Sequence, residues 1–118
     1  MPNGNVHPDE GDILIFWHNP AQKQKFAINL EPRRMHKYKK TFNAVLTTTQ
    51  KVDTLYPTDH KLPDGTLDEP TKVLCGQPIA VEKGMVSHKI GRVSQKDLGE
   101  IRKRVAPSLG IPYSDTTL

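Results

Sequence analysis

Apolar residues fall in short runs broken by proline and glycine along most of the chain, and recur with a helical period only near its C-terminal end. Asp12–His18 (DILIFWH) is a compact apolar run with β-branched and aromatic members, which predicts a buried strand. Asn19-Pro20 breaks it. Lys25–Leu30 (KFAINL) alternates, with Phe26, Ile28 and Leu30 on one face, and predicts a second strand with one wet side that Pro32 ends. Phe42–Thr49 (FNAVLTTT) predicts a third strand, its threonine-rich end near a sheet edge or cleft. Thr58–Leu62 and Thr71–Cys75 are short strand candidates separated by the turn Pro63-Asp64-Gly65. Gln77–Glu82 is another, and Pro78 should place it at an edge or a strand start.

The helical signal begins at Ser94, which precedes Gln95-Lys96-Asp97 in a capping arrangement with Asp in place of Glu. Leu98, Ile101, Val105 and Leu109 then form an apolar stripe. Arg102, Lys103 and Arg104 sit late in the helix, where cations suit the macrodipole. Pro107 should end or kink it. Five or six short strands and one helix predict a small, strongly bent antiparallel sheet in a compact, barrel-like α+β domain.

Charge adds a partner class to this picture. The net charge of +4 is unevenly spread: −3 over residues 1–21, +7 over 22–51, −4 over 52–70 and +4 over 71–118. A +7 stretch suits a polyanion, because neutralising phosphates releases counterions; a solvated loop is the plain alternative. Leu, Ile, Val and Phe make up 28 of the 118 residues, enough for one small core that dimerisation would help. No apolar run approaches the roughly 20 residues of a spanning helix, so no membrane role is expected. Met1–Glu10 is polar, without a signal-peptide pattern. Cys75 is the only cysteine, which excludes an internal disulfide framework and a multi-cysteine zinc site and fits a reducing cytoplasm. The five histidines show no ligand spacing, so neither a metal nor any other cofactor is expected.

Several strings in their order resemble one family. They are Gly11-Asp12-Ile13-Leu14, Asn19-Pro20, Thr48-Thr49-Gln50, Tyr56-Pro57, Cys75-Gly76-Gln77 and Lys89-Ile90-Gly91-Arg92-Val93-Ser94. From about Glu10 to Ile111 the chain resembles the MazF/PemK/Kid toxins of type II toxin–antitoxin systems. The resemblance implies an α+β fold, a small SH3-like antiparallel β-barrel with a C-terminal α-helix, forming a homodimer. The toxin domain would span 12–111, after a flexible leader at 1–11 and before a tail at 112–118. It implies a metal-free endoribonuclease for single-stranded RNA, blocked by a cognate antitoxin laid over the RNA groove. The sequence departs from the family where Arg-Pro opens the second strand, which here reads Lys25-Phe26. Gly76 replaces the acidic residue before the glutamine, and Leu74 stands where some members have Arg. A second reading is therefore a catalytically impaired member that binds RNA or a partner protein without cutting. A CcdB-type gyrase poison shares the fold but acts through a terminal Trp-Gly-Ile, whereas this chain ends Tyr113-Ser114-Asp115-Thr116-Thr117-Leu118.

Metal-free RNA cleavage makes the ribose 2′-OH attack its own phosphate, which calls for a base, a cation for the phosphorane and an acid for the leaving oxygen. At the family's Arg and Thr positions, Lys25 is the candidate cation or acid and Thr48 the candidate phosphate donor. The plain alternatives are a solvated strand lysine and an ordinary β-former. His18, at the end of the first strand, is a candidate base, against a structural or solvated histidine. For RNA binding, Arg33, Arg34 and Lys37 in the basic loop can follow phosphates, with Tyr38 between them as a stacking platform. Thr49, Gln50 and Gln77 complete the set, the glutamines as amide readers of base edges. Trp17, in an apolar strand, is expected in the core or a dimer interface.

Overall fold

The computed structural model describes residues 8–33 and 39–110. Six strands precede one helix: β1 (Asp12–His18), β2 (Lys23–Asn29), β3 (Thr41–Thr48), β4 (Asp59–Lys61), β5 (Lys72–Glu82), β6 (Val86–Arg92) and α1 (Gln95–Ser108). Every pairing is antiparallel, and the sheet order is β4-β5-β3-β2-β1-β6. The class is α+β as expected. The sheet is bent but not closed, since no pairing joins β4 to β6 among the described residues.

Both faces of the sheet are buried over its middle, because strand residues point alternately to opposite sides. On one face Ile13, Ile28, Val45, Val73 and Cys75 pack with Leu98, Ile101 and Val105 of α1. On the other, Leu14, Phe16, Ala27, Phe42, Ala44, Val81 and Val86 pack together. This corrects the expectation of one wet side for β2: Ala27, Ile28 and Asn29 are all buried, and it is Phe26, 37% exposed, that opens to solvent. Trp17 is also outside the core, at 38% exposed.

The expected strands at Thr71–Cys75 and Gln77–Glu82 are one strand, β5. A register shift lies between Val45 and Thr47, whose partners are Pro78 and Val73. Extra residues on β5 take up this slack and reverse its alternation, so Val73 packs on the helix face while Ile79 packs against the opposite core. Pro78 is tolerated because β4 reaches only as far as Leu74, leaving β5 as the sheet edge beyond that point. Strand β6 carried no clear alternation in sequence; its pairing to β1 is interrupted by two irregularities.

The helix begins as expected. Ser94 Oγ accepts the Asp97 N–H at 3.0 Å and donates to Asp97 Oδ2 at 2.8 Å. Leu98, Ile101 and Val105 are buried, but Leu109 follows the helix end and is 57% exposed, so the stripe stops one turn early. Pro107 falls within the last turn. Residues 9–11, assigned to the leader by sequence, are bonded into the fold: Gly11 N donates to Asn29 O at 2.8 Å, and Gly11 O accepts from Val93 N at 3.0 Å.

Candidate functional site

The groove at the end of β2 and β3 gathers four of the residues singled out by sequence. Lys25, Thr48, Thr49 and Gln50 line one open cavity of about 210 Å³, together with Lys23, Gln24, Phe26 and Thr47. The ladder accounts for the meeting. Ala27 is opposite Leu46, and Thr47 Oγ1 donates to Phe26 O at 3.4 Å. Continued two residues, that register sets Lys25 beside Thr48. Lys25 is also opposite Phe16, so it emerges on the face away from α1.

Among the described residues the lining holds two lysines, three threonines and two glutamines, with no carboxylate. Among the described residues, no acid pairs with the Lys25 ammonium. Thr48 Oγ1 accepts the Gln50 N–H at 3.1 Å, which turns the chain at the end of β3 and leaves the hydroxyl proton to donate elsewhere. A groove of unpaired cations and hydroxyl donors suits a polyanion. The neighbouring cavity of about 550 Å³ is larger but chemically unsuited to one: Ile15, Phe26, Leu67 and Ile90 form an apolar wall, and Asp68 and Glu69 line it too.

The other sequence candidates lie elsewhere. Gln77 is exposed on β5, next to Pro78, whose partner Val45 lies three residues before Thr48; at the strand rise this is about 10 Å along β3. It does not line the groove. Arg33 is exposed and lies 3.6 Å from Asp9. Arg34, Lys37 and Tyr38 fall outside the described residues. His18 does not line the groove; its ring packs 5.6 Å from Phe16, and its Nδ1 is buried without a hydrogen-bond partner. His60 lies on the helix side, 2.9 Å from Asp97.

The structure adds two residues that sequence reasoning passed over. Lys72 pairs with Thr48 across the β3–β5 ladder, and its ammonium is buried 2.9 Å from Asp59 Oδ2. The available signal was a lysine and an aspartate inside short strand candidates, but only the β4–β5 register shows that they meet. Gly76 also acquires a reason: a Cβ there would stand 2.9 Å from Thr58 Cβ, so Thr58 fills the place an acidic side chain would need.

Fold and lining together define a small α+β domain with a basic, hydroxyl-rich groove at one end of its sheet. Residues 9–109 match the PemK-like, MazF-like toxins of type II toxin–antitoxin systems, and the chain belongs to that family. No curated protein matches it by sequence. Among solved structures, it is similar to an endoribonuclease from a mycobacterial species, with a TM-score of 0.77 and 16% identity over 92% of this chain and 97% of that one. A MazE–MazF complex from Deinococcus radiodurans gives a TM-score of 0.78 and 17% identity, over 92% and 100%. A mycobacterial endoribonuclease in complex with its cognate antitoxin gives 0.75 and 18%, over 91% and 99%.

Proposed function

We propose that this toxin is a metal-free endoribonuclease that cuts single-stranded RNA in the Lys25–Thr48 groove. The observation that carries the reading is the meeting of Lys25, Thr48, Thr49 and Gln50 in one cavity without a carboxylate. The ribose 2′-OH gives its proton to water in the open groove and attacks the adjacent phosphorus, and the bond to the 5′-oxygen breaks to leave a 2′,3′-cyclic phosphate. The Lys25 ammonium offsets the charge gathering on the phosphorane and protonates the leaving oxygen. The Thr48 hydroxyl donates to a non-bridging oxygen, held in place by its bond from Gln50 N–H. Thr49 and Gln50 contact the nucleotides beside the cut, and Gln77, Arg33, Arg34, Lys37 and Tyr38 extend the RNA path. Lysine is a point charge where the family's arginine is a planar fork, so it holds the phosphate by charge more than by geometry.

A cognate antitoxin, as named for the mycobacterial complex, covers this groove and silences it. The toxin works as a cytoplasmic homodimer; among the described residues no helix is long and apolar enough to cross a membrane. Its second copy would seat on the apolar hollow of about 470 Å³ between β5 and the end of α1, where Pro78, Ile79, Val105, Ala106 and Leu109 are gathered. Light scattering should then give about twice 13.3 kDa. The activity test is cleavage of a long single-stranded transcript in the presence of chelator. The expected result is discrete cuts that a 2′-deoxy substitution at the cut site abolishes. Cutting of the 2′-deoxy substrate at that bond, or no cutting at all, would overturn the reading.

A further inference from the structure

Lys25, Thr48 and Lys72 stand side by side on β2, β3 and β5, on the face of the sheet away from α1. Directly opposed residues on neighbouring strands lie about 4.5–5.5 Å apart between Cα atoms, so Lys72 is next to the groove. It nevertheless turns its charge away from it. The Lys72 ammonium donates to Thr54 O at 2.8 Å and to Asp59 Oδ2 at 2.9 Å, and lies 5.6 Å from the centre of the Tyr56 ring. The side chains of Lys72 and Asp59 are only 5% and 6% exposed. Asp59 Oδ2 also accepts the Tyr56 N–H at 3.1 Å, and Asp59 N donates to Tyr56 O at 2.8 Å. The Lys72 bond to Thr54 O fastens the segment between β3 and β4 to β5, the two Tyr56 bonds fasten it to Asp59 at the start of β4, and the ion pair joins β4 to β5. That segment begins with Thr49 and Gln50, and Gln50 N–H reaches back to Thr48 Oγ1.

We infer that Lys72 and Asp59 form a positioning pair: they hold the 49–58 segment against β5 and thereby set the direction of the Thr48 hydroxyl in the groove. Burying two opposite charges is a poor way to gain stability, since well-packed apolar residues of similar volume often do as well or better. What the ion pair supplies that apolar residues cannot is two directed hydrogen bonds to the segment, from Lys72 to Thr54 O and from Tyr56 N–H to Asp59, with a third between the two side chains that ties them to each other. The position is specified by the pair and not by packing alone. This role rests on the RNA-cleavage reading for its effect on rate, but not for its effect on the segment.

The experiment compares the unmodified chain with Lys72→Met and with Lys72→Met/Asp59→Leu. Lys72→Met leaves a buried carboxylate unpaired and should lower thermal stability. The double substitution should return the melting temperature close to that of the unmodified chain. Cleavage should not return with it: on a fluorescent single-stranded RNA spanning a mapped cut, kcat should stay 10- to 100-fold low, as for a displaced reacting group. KM should change less than about threefold, since the groove cations remain. Hydrogen exchange should show lost protection of amides between residues 49 and 59 in the double variant, with α1 unchanged. Lys72→Met alone, which also loses the bonds to Thr54 O and Asp59, replaces the double variant if that chain fails to fold, with the same rate loss expected. Unmodified kcat in the double variant, or unchanged protection of the segment, overturns the inference. If the unmodified chain cuts no RNA, the cleavage reading falls, and the exchange of the 49–58 segment alone then decides the positioning pair.

Discussion

On the face of the sheet that carries α1, apolar side chains from four strands and the helix close over one another, and the polar groups beneath them serve the helix itself. Ser94 caps it, and His60 meets Asp97 at 2.9 Å on its first turn. On the opposite face the same strands end in lysine, threonine and glutamine. Residues 25 and 48 reach solvent there, while Lys72 is buried to hold a loop. The first face is stable because its parts are interchangeable in kind: any well-shaped apolar residue would fill Ile101's place. The second depends on particular atoms at particular distances. A substitution on the helix face should therefore change how much protein is folded, and one on the groove face should change what the folded protein does.

The strongest way to break this contrast from the helix side is Ile101→Ala. Ile101 is fully buried, and its truncation should cost about 2–5 kcal/mol of stability. Denaturant unfolding measures the cost, and kcat per folded molecule should not change. Gly76→Asp restores the family's acid at the sequence level but drives a Cβ to within 2.9 Å of Thr58. Overpacking of this kind should cost about 1–3 kcal/mol, read as a lower melting temperature; an unchanged melt would show that Thr58 yields. Ser94→Ala removes the N-cap acceptor for Asp97 N–H and should cost about 1 kcal/mol, again without touching RNA cleavage. The smallest effect concerns Cys75. Burial raises its thiol from the ordinary 9.0 to about 12, so the folded protein keeps the proton that the unfolded chain releases. Its contribution to stability is whole below pH 9 and is lost progressively above it as pH climbs toward 12. The melting-temperature difference between the unmodified chain and Cys75→Ala should shift against the cysteine over that window. A thiol reagent at pH 8 should label only unfolded protein.

The helix and β1 were legible because their signals are local. The Ser94 cap, the three-four spacing of Leu98, Ile101 and Val105, and the run from Asp12 to His18 each act within one element. Strand β6 was missed because Val86–Arg92 alternates neither cleanly nor for long, its exposed Lys89 and His88 sitting beside half-buried neighbours. The single strand β5 was divided because a bulge reverses its pattern at Gly76 and Gln77. The groove was half legible. Lys25 and Thr48 were singled out from their order within a recognisable family, but their meeting in one cavity depends on the β2–β3 register. Lys72 and Asp59 were invisible for the same reason: a buried ion pair between β4 and β5 leaves no periodic trace in either strand. Gln77 shows the converse. It stands in a recognisable string, yet the β5 register carries it away from the groove.

The central claim is that the charge on Lys25, set beside Thr48, drives RNA cleavage in this toxin. Single-turnover cleavage of one single-stranded RNA by the unmodified chain, Lys25→Ala and Lys25→Arg tests it most directly. Loss of a donor at the developing charge typically costs about 10²–10³ in rate, so Lys25→Ala should fall by that factor while its melting temperature holds. Lys25→Arg should match or exceed the unmodified rate if charge on the phosphorane dominates, because a guanidinium stays charged and adds a fork. It should fail if proton donation to the leaving oxygen dominates, because arginine does not give up its proton. Full activity in Lys25→Ala would contradict the account.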